Sequence, residues 1–282
     1  MGKWFAKFLA ANDYDIIICD RNKSAAQRLT REEQFQFMDN EIDAVKLSRL
    51  IILATPTQTT KAILNRIGPH ISQTSLLVEI SSVKEPLIRT IQSLAKHGVR
   101  ILSIHPMFGP GAKNLAGRSI IVAQQPRRNQ VATSLLLAFR KKGARIIPSN
   151  LENHDRIVAA TLALPHFMNF AFVATLKKSG LTPNEVRKFA GTTLKLQLTV
   201  AEALYHEKLH NEASILADNK YSAELLKTFT EQANTIRNAI RKGSSAELTH
   251  RLQSGAAYVR KDNSFRAAYD EFSAAVEALK AD

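Results

Sequence analysis

Short apolar runs alternate with helical segments through the first half of this chain. The runs, which are rich in Ile, Leu and Val, cover residues 16–19, 50–54, 76–80, 101–104, 119–122 and 144–147. Segments of helical periodicity separate them, for example Thr59 to Ile67 and the stretch from Pro86 to Lys96. Apolar strands that alternate with helices indicate a mostly parallel sheet covered on both faces. The first half is therefore predicted to form a doubly wound α/β domain.

After Pro148 the pattern changes to helices alone. Asn150 and Asn153 offer N-caps ahead of a long apolar-periodic stretch at 157–178, which Gly180 ends. The segment Thr182-Pro-Asn-Glu185 has the cap, the proline and the glutamate that begin a new helix. Helical periodicity follows at 194–205, 225–240, 246–252 and 265–279, without a strand pattern. We predict an α/β domain at residues 1–149 and an all-α domain at residues 150–282.

Composition limits the classes of partner. The formal net charge is +14, which could suit nucleic acid, but the basic residues are scattered pairs and no nucleic-acid-reading motif accompanies them. Cys19 is the one cysteine, which fits a reducing cytoplasm, and no apolar run approaches the ~20 residues of a membrane span. Trp4, Phe5, Phe8 and Leu9 recur at helical spacing, which favours an amphipathic helix over a signal peptide. We expect a cytoplasmic protein with no nucleic-acid, membrane or metal partner.

The segment His105-Pro-Met-Phe-Gly-Pro110 is the strongest candidate for chemistry. Pro106 biases His105 away from the α region, so the imidazole follows the apolar run 101–104 on an extended backbone. Ligands of open α/β sheets bind outside the carboxyl ends of the strands. An imidazole, which titrates near neutral pH, can act there as a general acid or base. A histidine in a proline-rich turn is the alternative for this motif taken alone.

The start of the chain predicts part of a dinucleotide-binding site of the Rossmann type. Gly2 at a helix start and Asp20 at the end of the run 16–19 have the spacing of the third glycine and the ribose-binding acid in that fingerprint. Gly2 and Lys3 could offer backbone N–H groups to an anion, Asp20 favours NAD, and Arg21 could meet the 2′-phosphate of NADP. The first strand and first two glycines of the fingerprint are then missing, so we expect an N-terminally truncated Rossmann-like sheet, from a shortened chain or a start codon placed too far downstream.

Together these segments resemble the prephenate dehydrogenase family, and its archaeal-like branch in particular. The matching pieces are Gly2-Lys-Trp-Phe-Ala-Lys-Phe-Leu9, Ala54-Thr-Pro56, Ile80-Ser-Ser-Val-Lys-Glu85, His105-Pro-Met-Phe-Gly-Pro110, His154-Asp155 and Leu164-Pro-His-Phe167. The helical half resembles the dimerisation domain of the family more weakly. The resemblance implies NAD(P)-dependent oxidative decarboxylation of prephenate to 4-hydroxyphenylpyruvate, by a homodimer that forms through its helical domain.

The resemblance also implies roles for single residues. His105 would accept the proton of the substrate hydroxyl, and Ser82 would bind that hydroxyl and orient the histidine. Thr55 and Pro56 match a cofactor-binding segment, and His166 matches a substrate-binding histidine. Without the family match, Ser82 would be interpreted as a helix cap and His166 as a core residue. His154-Asp155 is predicted to steady the first long helix, without a chemical role.

One departure from the family pattern bears on the substrate. Family members carry an arginine that holds a substrate carboxylate by two hydrogen bonds, and Ala203 occupies its position here. Lys195 lies two helical turns earlier and could bind the carboxylate as a point charge. The sequence therefore leaves open arogenate or another small acid as substrate, and a catalytically impaired protein that binds a metabolite.

Overall fold

The structure is a computed structural model, which describes residues 1–279. The chain divides into two compact units, an N-terminal unit at Met1–Val158 and a C-terminal unit from Ala159 onward. The predicted boundary lies after residue 149, and the N-terminal unit extends beyond it by a helix, α7, at Leu151–Val158. Leu151, His154 and Asp155 of that helix are buried. Residues 280–282 of the predicted second domain lie outside the described residues.

The N-terminal unit contains seven strands and seven helices within the described residues. The strands are β1 (Ile17–Ile18), β2 (Gln36–Phe37), β3 (Leu50–Leu53), β4 (Leu76–Glu79), β5 (Arg100–Pro106), β6 (Ser119–Gln124) and β7 (Arg145–Pro148). The helices are α1 (Gly2–Ala10), α2 (Lys23–Glu33), α3 (Glu41–Leu47), α4 (Thr57–Ile67), α5 (Ile88–Lys96), α6 (Gln130–Lys141) and α7. All six predicted strands are present, whereas β2 and α3 were missed because each is short.

The strands form two sheets. One contains β1 and β2, and the other has the order β3-β4-β5-β6-β7. All neighbours are parallel except β5 and β6, which are antiparallel. The prediction of a doubly wound, mostly parallel sheet is confirmed. The antiparallel pair of β5 and β6 makes the sheet a mixed one. Among the described strands, β1 and β3 belong to different sheets and have no common neighbour.

Alternate residues along β4 enter two separate cores. Leu76 and Val78 pack with Phe5 of α1 and Phe139 of α6 in one core. Leu77 packs with Leu64, Ile91 and other residues of α4 and α5 in the second core. Because both faces of the sheet are covered, its central strands are apolar without alternation. The helices thereby fix the strand ends on which the candidate site is built.

The C-terminal unit is helical throughout its described residues. It opens with a π-helical turn at Ala159–Ala163 and continues with α8 (Leu164–Lys178), α9 (Pro183–Lys188), α10 (Thr192–His206), α11 (Leu209–Ala217), α12 (Ser222–Arg241), α13 (Ser245–Val259) and α14 (Ala268–Ala278). The predicted capping box is confirmed: Thr182 Oγ1 accepts from the backbone N–H of Glu185, whose carboxylate accepts from that of Thr182. The sequence pattern missed α11, which is short.

The helical stretch Leu151–Lys178 is long and apolar enough to cross a membrane by length and composition. It also contains His154 and Asp155, both of which are buried in the N-terminal unit. The π-helical turn interrupts it in the middle. One such helix is weak support for a membrane span, and the prediction of no membrane partner stays a prediction.

Candidate active site

His105 lies in the last part of β5, opposite Ile121 of the antiparallel strand β6. The strand continues through Pro106, one residue beyond the histidine, so His105 lies on extended backbone at the end of a strand, as predicted. The register of β5 and β6 shifts between Ser103 and Ile104, and Ala123 opposes neither residue. Bulges of this kind re-aim side chains and are frequent beside active sites. The imidazole of His105 is 3% exposed.

His105 is the end of a chain of buried side chains. Its Nδ1 lies 3.1 Å from Nε2 of His154, and Nδ1 of His154 lies 2.7 Å from Oδ1 of Asp155. The carboxylate of Asp155 accepts from the backbone N–H of Lys84 at 2.9 Å and from that of Glu85 at 2.7 Å. Asp155 therefore caps the short turn that precedes α5, a contact that the prediction of a helix-steadying pair did not include. The sequence pointed to His154-Asp155 as a family-like pair, but only the fold brings the pair to His105.

A buried ion pair lies beside this chain. Lys84 Nζ donates to Glu79 Oε1 at 2.6 Å and to the carbonyl of Ile104 at 2.8 Å, and the Lys84 and Glu79 side chains are fully buried. Glu79 also accepts from the hydroxyl of Ser103 and from the backbone N–H of Ser81. Lys84 thus joins the loop after β4 to the backbone next to His105. Sequence reasoning gave neither residue a role, although Lys84 lies within the matched segment Ile80–Glu85 and Glu79 directly precedes it.

Burial controls the protonation of the two histidines. It lowers the pKa of His105 well below the ordinary value of 6.5, and the nearby His154 and Lys84 lower it further. Burial also lowers the pKa of His154, against the opposing effect of its hydrogen bond to Asp155. Both imidazoles are therefore neutral at pH 7. A neutral imidazole at His105 can accept a proton.

Ser82 lies in the loop between β4 and the turn at Glu85–Leu87, and its side chain is half-buried. Its neighbours Ser81 and Lys84 are both tied to Glu79. The loop that carries Ser82 is thereby held by the same carboxylate that binds Ser103 of β5. Ser82 therefore follows β4 and His105 lies on β5, and these two strands are parallel neighbours joined through Glu79.

The candidate cofactor residues lie at helix and strand ends. Gly2 is the first residue of α1, and a Cβ built on it would meet the Cβ of Ala54 at 3.6 Å, an ordinary contact. The first turn of α1 has no side-chain cap, which leaves its N-terminus suited to an anion. Pro56 is the N-cap of α4, and Thr55 is hydrogen-bonded to Thr60 at 2.8 Å. Gly2 therefore lies beside Ala54, the residue that follows β3 and precedes Thr55 and Pro56.

The charged cofactor candidates have other partners. Lys3 Nζ lies 3.7 Å from the carboxylate of Glu32, and both side chains are exposed. Oδ1 of Asp20 accepts from the backbone N–H of Asn22 at 2.8 Å, so Asp20 forms the local turn after β1. Arg21 lies beside it and is exposed. Asp20 and Arg21 follow a strand end as predicted, with the second Asp20 oxygen still able to accept.

In the C-terminal unit, His166 faces a carboxylate. Its Nδ1 lies 2.7 Å from Oε2 of Glu212, both side chains are largely buried, and the contact lacks hydrogen-bond geometry. His166 lies in the first turn of α8, directly after the π-helical turn; such turns are frequent at functional sites. Lys195 lies half-buried in the first turn of α10, and Ala203 is exposed in the last turn of that helix. Sequence reasoning missed Glu212, because α11 has no motif of its own.

Comparison with known families assigns both halves of the chain. Residues 5–147 match the family model described as prephenate dehydrogenase, nucleotide-binding domain. Residues 150–254 match the model described as prephenate dehydrogenase, dimerization domain. The chain belongs to the prephenate dehydrogenase family. The resemblance inferred from the sequence motifs is confirmed.

Three curated relatives show how widely this family is spread. The chain is 28% identical over 243 residues to a probable arogenate/prephenate dehydrogenase of Methanocaldococcus jannaschii, covering 86% of this chain and 54% of the relative. It is 25% identical to the T-protein of Haemophilus influenzae, covering 82% and 57%. It is 25% identical to the chloroplastic arogenate dehydrogenase 2 of Arabidopsis thaliana, covering 68% and 55%. The chain therefore spans about half the length of the curated relatives it matches.

Solved structures show the same fold. The crystal structure of prephenate dehydrogenase from A. aeolicus in complex with hydroxyphenyl propionate and NAD+ has a TM-score of 0.73 at 20% identity, covering 93% of this chain and 94% of that one. The crystal structure of Synechocystis arogenate dehydrogenase has a TM-score of 0.68 at 17% identity, covering 92% and 95%. The Rossmann-like domain followed by a helical domain is thus the fold of this family.

Proposed function

We propose that this chain carries out the NAD-dependent oxidative decarboxylation of prephenate to 4-hydroxyphenylpyruvate. The observation that carries the proposal is the neutral, buried imidazole of His105 in a chain whose two halves match the prephenate dehydrogenase family. In this reaction the ring carboxylate leaves as CO2, and the C4 hydroxyl becomes the carbonyl from which the phenol forms. The hydroxyl proton must go to a base as the C4–H bond breaks.

His105 is proposed to accept that proton, and Ser82 to donate a hydrogen bond that orients the hydroxyl. A general base is most effective when it is unprotonated at the working pH and positioned within hydrogen-bond reach. The lowered pKa of His105, caused first by burial, keeps the base form available at neutral and mildly acidic pH. His166 and Lys195 are proposed to bind the substrate carboxylates.

The residues at the start of the N-terminal unit fit a dinucleotide in part. The uncapped N-terminus of α1 suits a phosphate, and Asp20 has one carboxylate oxygen that can accept from a ribose hydroxyl. When bound, NAD or NADP would take the hydride from ring C4. Asp20 favours NAD because a carboxylate repels the 2′-phosphate of NADP, while Arg21 beside it would attract that phosphate.

Arogenate is the second candidate substrate, because of Glu212. Arogenate carries an ammonium group where prephenate carries a keto oxygen, and a largely buried carboxylate is suited to bind a cation. Glu212 lies 2.7 Å from His166, the residue proposed to bind substrate. Its Oε2 has no hydrogen-bond partner among the described residues, so an ammonium group could satisfy it.

A four-way assay tests both proposals. The purified chain is given prephenate or arogenate with NAD or NADP, and NAD(P)H formation is followed together with 4-hydroxyphenylpyruvate or tyrosine as the product. We expect turnover of prephenate with NAD. A preference for NADP above about tenfold in kcat/KM, or roughly 1.4 kcal/mol, would reverse the cofactor assignment.

The variant Glu212→Gln separates the two substrates. If Glu212 binds an amino group, this variant loses arogenate turnover and keeps prephenate turnover. Turnover of neither substrate by the unaltered chain, with cofactor binding intact in a calorimetric titration, would instead support a protein that binds a metabolite without catalysis.

A further inference from the structure

The contacts of Asp155 determine which atoms carry the protons in its chain. A carboxylate can only accept hydrogen bonds, and Asp155 already accepts from two backbone N–H groups of the turn before α5. Nδ1 of His154, at 2.7 Å from Asp155 Oδ1, must therefore be the protonated nitrogen of that ring. Because burial keeps His154 neutral, its Nε2 has a lone pair and can only accept.

The same argument shows which nitrogen of the His105 ring carries the proton. Nδ1 of His105 lies 3.1 Å from the accepting Nε2 of His154, so Nδ1 must donate and carries the proton. A neutral imidazole has one N–H, which leaves Nε2 of His105 with the lone pair. The backbone N–H groups of Lys84 and Glu85 thus select, through two intermediate side chains, the nitrogen of His105 that can act as a base.

We propose that Asp155 and His154 are positioning residues that hold His105 in the tautomer with a basic Nε2. The proposal rests on the proposed function, in which His105 accepts the proton of the substrate hydroxyl. When Nε2 takes that proton, the Nδ1–H bond to His154 remains and strengthens, since a hydrogen bond from a charged donor is stronger than one from a neutral donor. Neither residue touches the reacting atoms, so their effect reaches the reaction through His105.

The variant Asp155→Asn keeps the volume of the side chain but exchanges donor and acceptor in each hydrogen bond from residue 155 to His105. The amide oxygen takes the place of Oδ2, where it accepts from the backbone N–H groups of Lys84 at 3.1 Å and Glu85 at 2.7 Å. The amide NH2 then faces Nδ1 of His154 and donates to it. His154 must donate through Nε2 to Nδ1 of His105, whose Nε2 becomes protonated and can no longer accept.

Nitrogen-15 NMR of the histidine side chains gives a direct readout, and it needs no substrate. In the unaltered chain we expect His105 to show a protonated Nδ1 and an unprotonated Nε2, and in Asp155→Asn the opposite assignment. A protonated Nε2 in the unaltered chain would overturn the proposal. So would the same tautomer in both proteins, because a merely structural Asp155 would leave the tautomer unchanged.

Kinetics provide the second readout. We expect Asp155→Asn to lower kcat by about 10²–10⁴-fold with little change in KM, as expected for loss of a correctly oriented general base. The double variant His105→Asn with Asp155→Asn should be no slower than His105→Asn alone, because residues that act as one unit are not additive. Fully additive losses would contradict the proposal.

The matched control is Asp262→Asn in the C-terminal unit. Asp262 also accepts from a backbone N–H, that of Ser264 at 2.7 Å, but it lies in an exposed turn. This variant should leave kcat and the His105 tautomer unchanged. The two proposals fail in different ways: no turnover of either substrate by the unaltered chain contradicts the proposed function, whereas the NMR assignment decides the proton order in either case.

Discussion

The two units of this chain are built with very different interiors. Most of the buried apolar side chains belong to the N-terminal unit, where they form two cores on the faces of the sheet. Within the described residues, the buried apolar side chains of the C-terminal unit are Ala159, Ala163, Val186, Leu198, Ala201, Ile215 and Ala239. Alanine, which buries little area, is the commonest residue in that set. The C-terminal unit by itself therefore gains far less from apolar burial.

Many apolar side chains of the C-terminal unit are exposed. The large ones are Met168, Leu181, Phe189, Val200, Tyr205, Leu209, Ile236, Ile240, Leu252, Tyr258, Val259, Phe265 and Tyr269. Within the described residues, α13 and α14 bury no side chain. Exposed apolar surface on this scale marks an interaction site. The first unit thus covers most of its apolar side chains within its own fold, whereas the second leaves a large apolar surface for an interaction.

The buried polar groups of the N-terminal unit are also better hydrogen-bonded than those of the C-terminal unit. The N-terminal unit fully buries Glu79, Lys84 and His154, and each has a hydrogen-bond partner. Among the described residues, the buried side-chain atoms without a hydrogen-bond partner all lie in the C-terminal unit, at His166, Asn211, Glu212 and Ser222. His166 and Glu212 are close to each other, but not in hydrogen-bond geometry. An unpaired buried polar atom costs free energy unless a ligand or water binds it. The side chain of His105 is therefore fixed by a hydrogen bond, whereas His166 lies in a polar region whose buried atoms lack hydrogen-bond partners.

The largest expected effect is on the kcat of a variant at His105, the well-bonded histidine of the N-terminal unit. His105→Asn should lower kcat by about 10²–10⁴-fold, since the base is lost, while cofactor affinity and melting temperature change little. Steady-state kinetics, a cofactor titration and thermal melts check this outcome. The control is His70→Asn, which changes an exposed histidine of the same unit. An unchanged rate and pH–rate profile in His105→Asn would remove His105 from the mechanism.

The next effect concerns the stability of the N-terminal unit. Lys84→Met should lower the free energy of unfolding by about 3–5 kcal/mol, because it leaves the buried carboxylate of Glu79 without its ammonium partner. Replacing both residues, as in Glu79→Leu with Lys84→Met, should cost less than Lys84→Met alone. Urea denaturation of the three proteins measures the differences. A double variant that is less stable than Lys84→Met would show that the pair contributes more attraction than desolvation cost.

We expect the C-terminal unit to associate as a homodimer, in keeping with its match to a dimerization domain. Unfolding coupled to dissociation should raise the apparent melting temperature by about 3–5 °C for each tenfold increase in protein concentration. Light scattering gives the mass, and Leu252→Asp should weaken the association because Leu252 is a large apolar residue that is 58% exposed. A stable monomer at micromolar concentration, with a melting temperature independent of concentration, would contradict the dimer.

The smallest effect is the response to acid. Burial lowers the pKa of both His105 and His154 below 6.5 in the folded chain, so the unfolded chain binds protons first as the pH falls. Their contribution to stability is complete above pH 6.5 and decreases as the pH falls from 6.5 toward the lowered pKa values. Urea midpoints measured between pH 7 and pH 5 should therefore decrease less for His105→Asn than for the unaltered chain. Parallel curves would show that His105 is not buried as a neutral group.

The sequence by itself determined the fold class and the family, and it pointed to His105 as the candidate base. Continuous apolar runs such as Leu76–Glu79 predict buried parallel strands because both of their faces must be covered, and the Thr182 capping box is a local motif that needs no distant partner. His105 was visible because its neighbours form a specific motif. These signals are all local in the chain, and local patterns can be detected without knowing which segments meet.

Only the tertiary structure decided how His105 is held. His154 lies 3.1 Å from His105 in space but 49 positions later in the chain, and Asp155 reaches the turn at Lys84 across 71 positions. No periodicity or spacing encodes such contacts, because they depend on how α7 packs against the sheet. Glu79 and Lys84 illustrate the same limit. In the sequence they are ordinary charged residues, and the fold buries them as an ion pair that contacts the backbone next to His105.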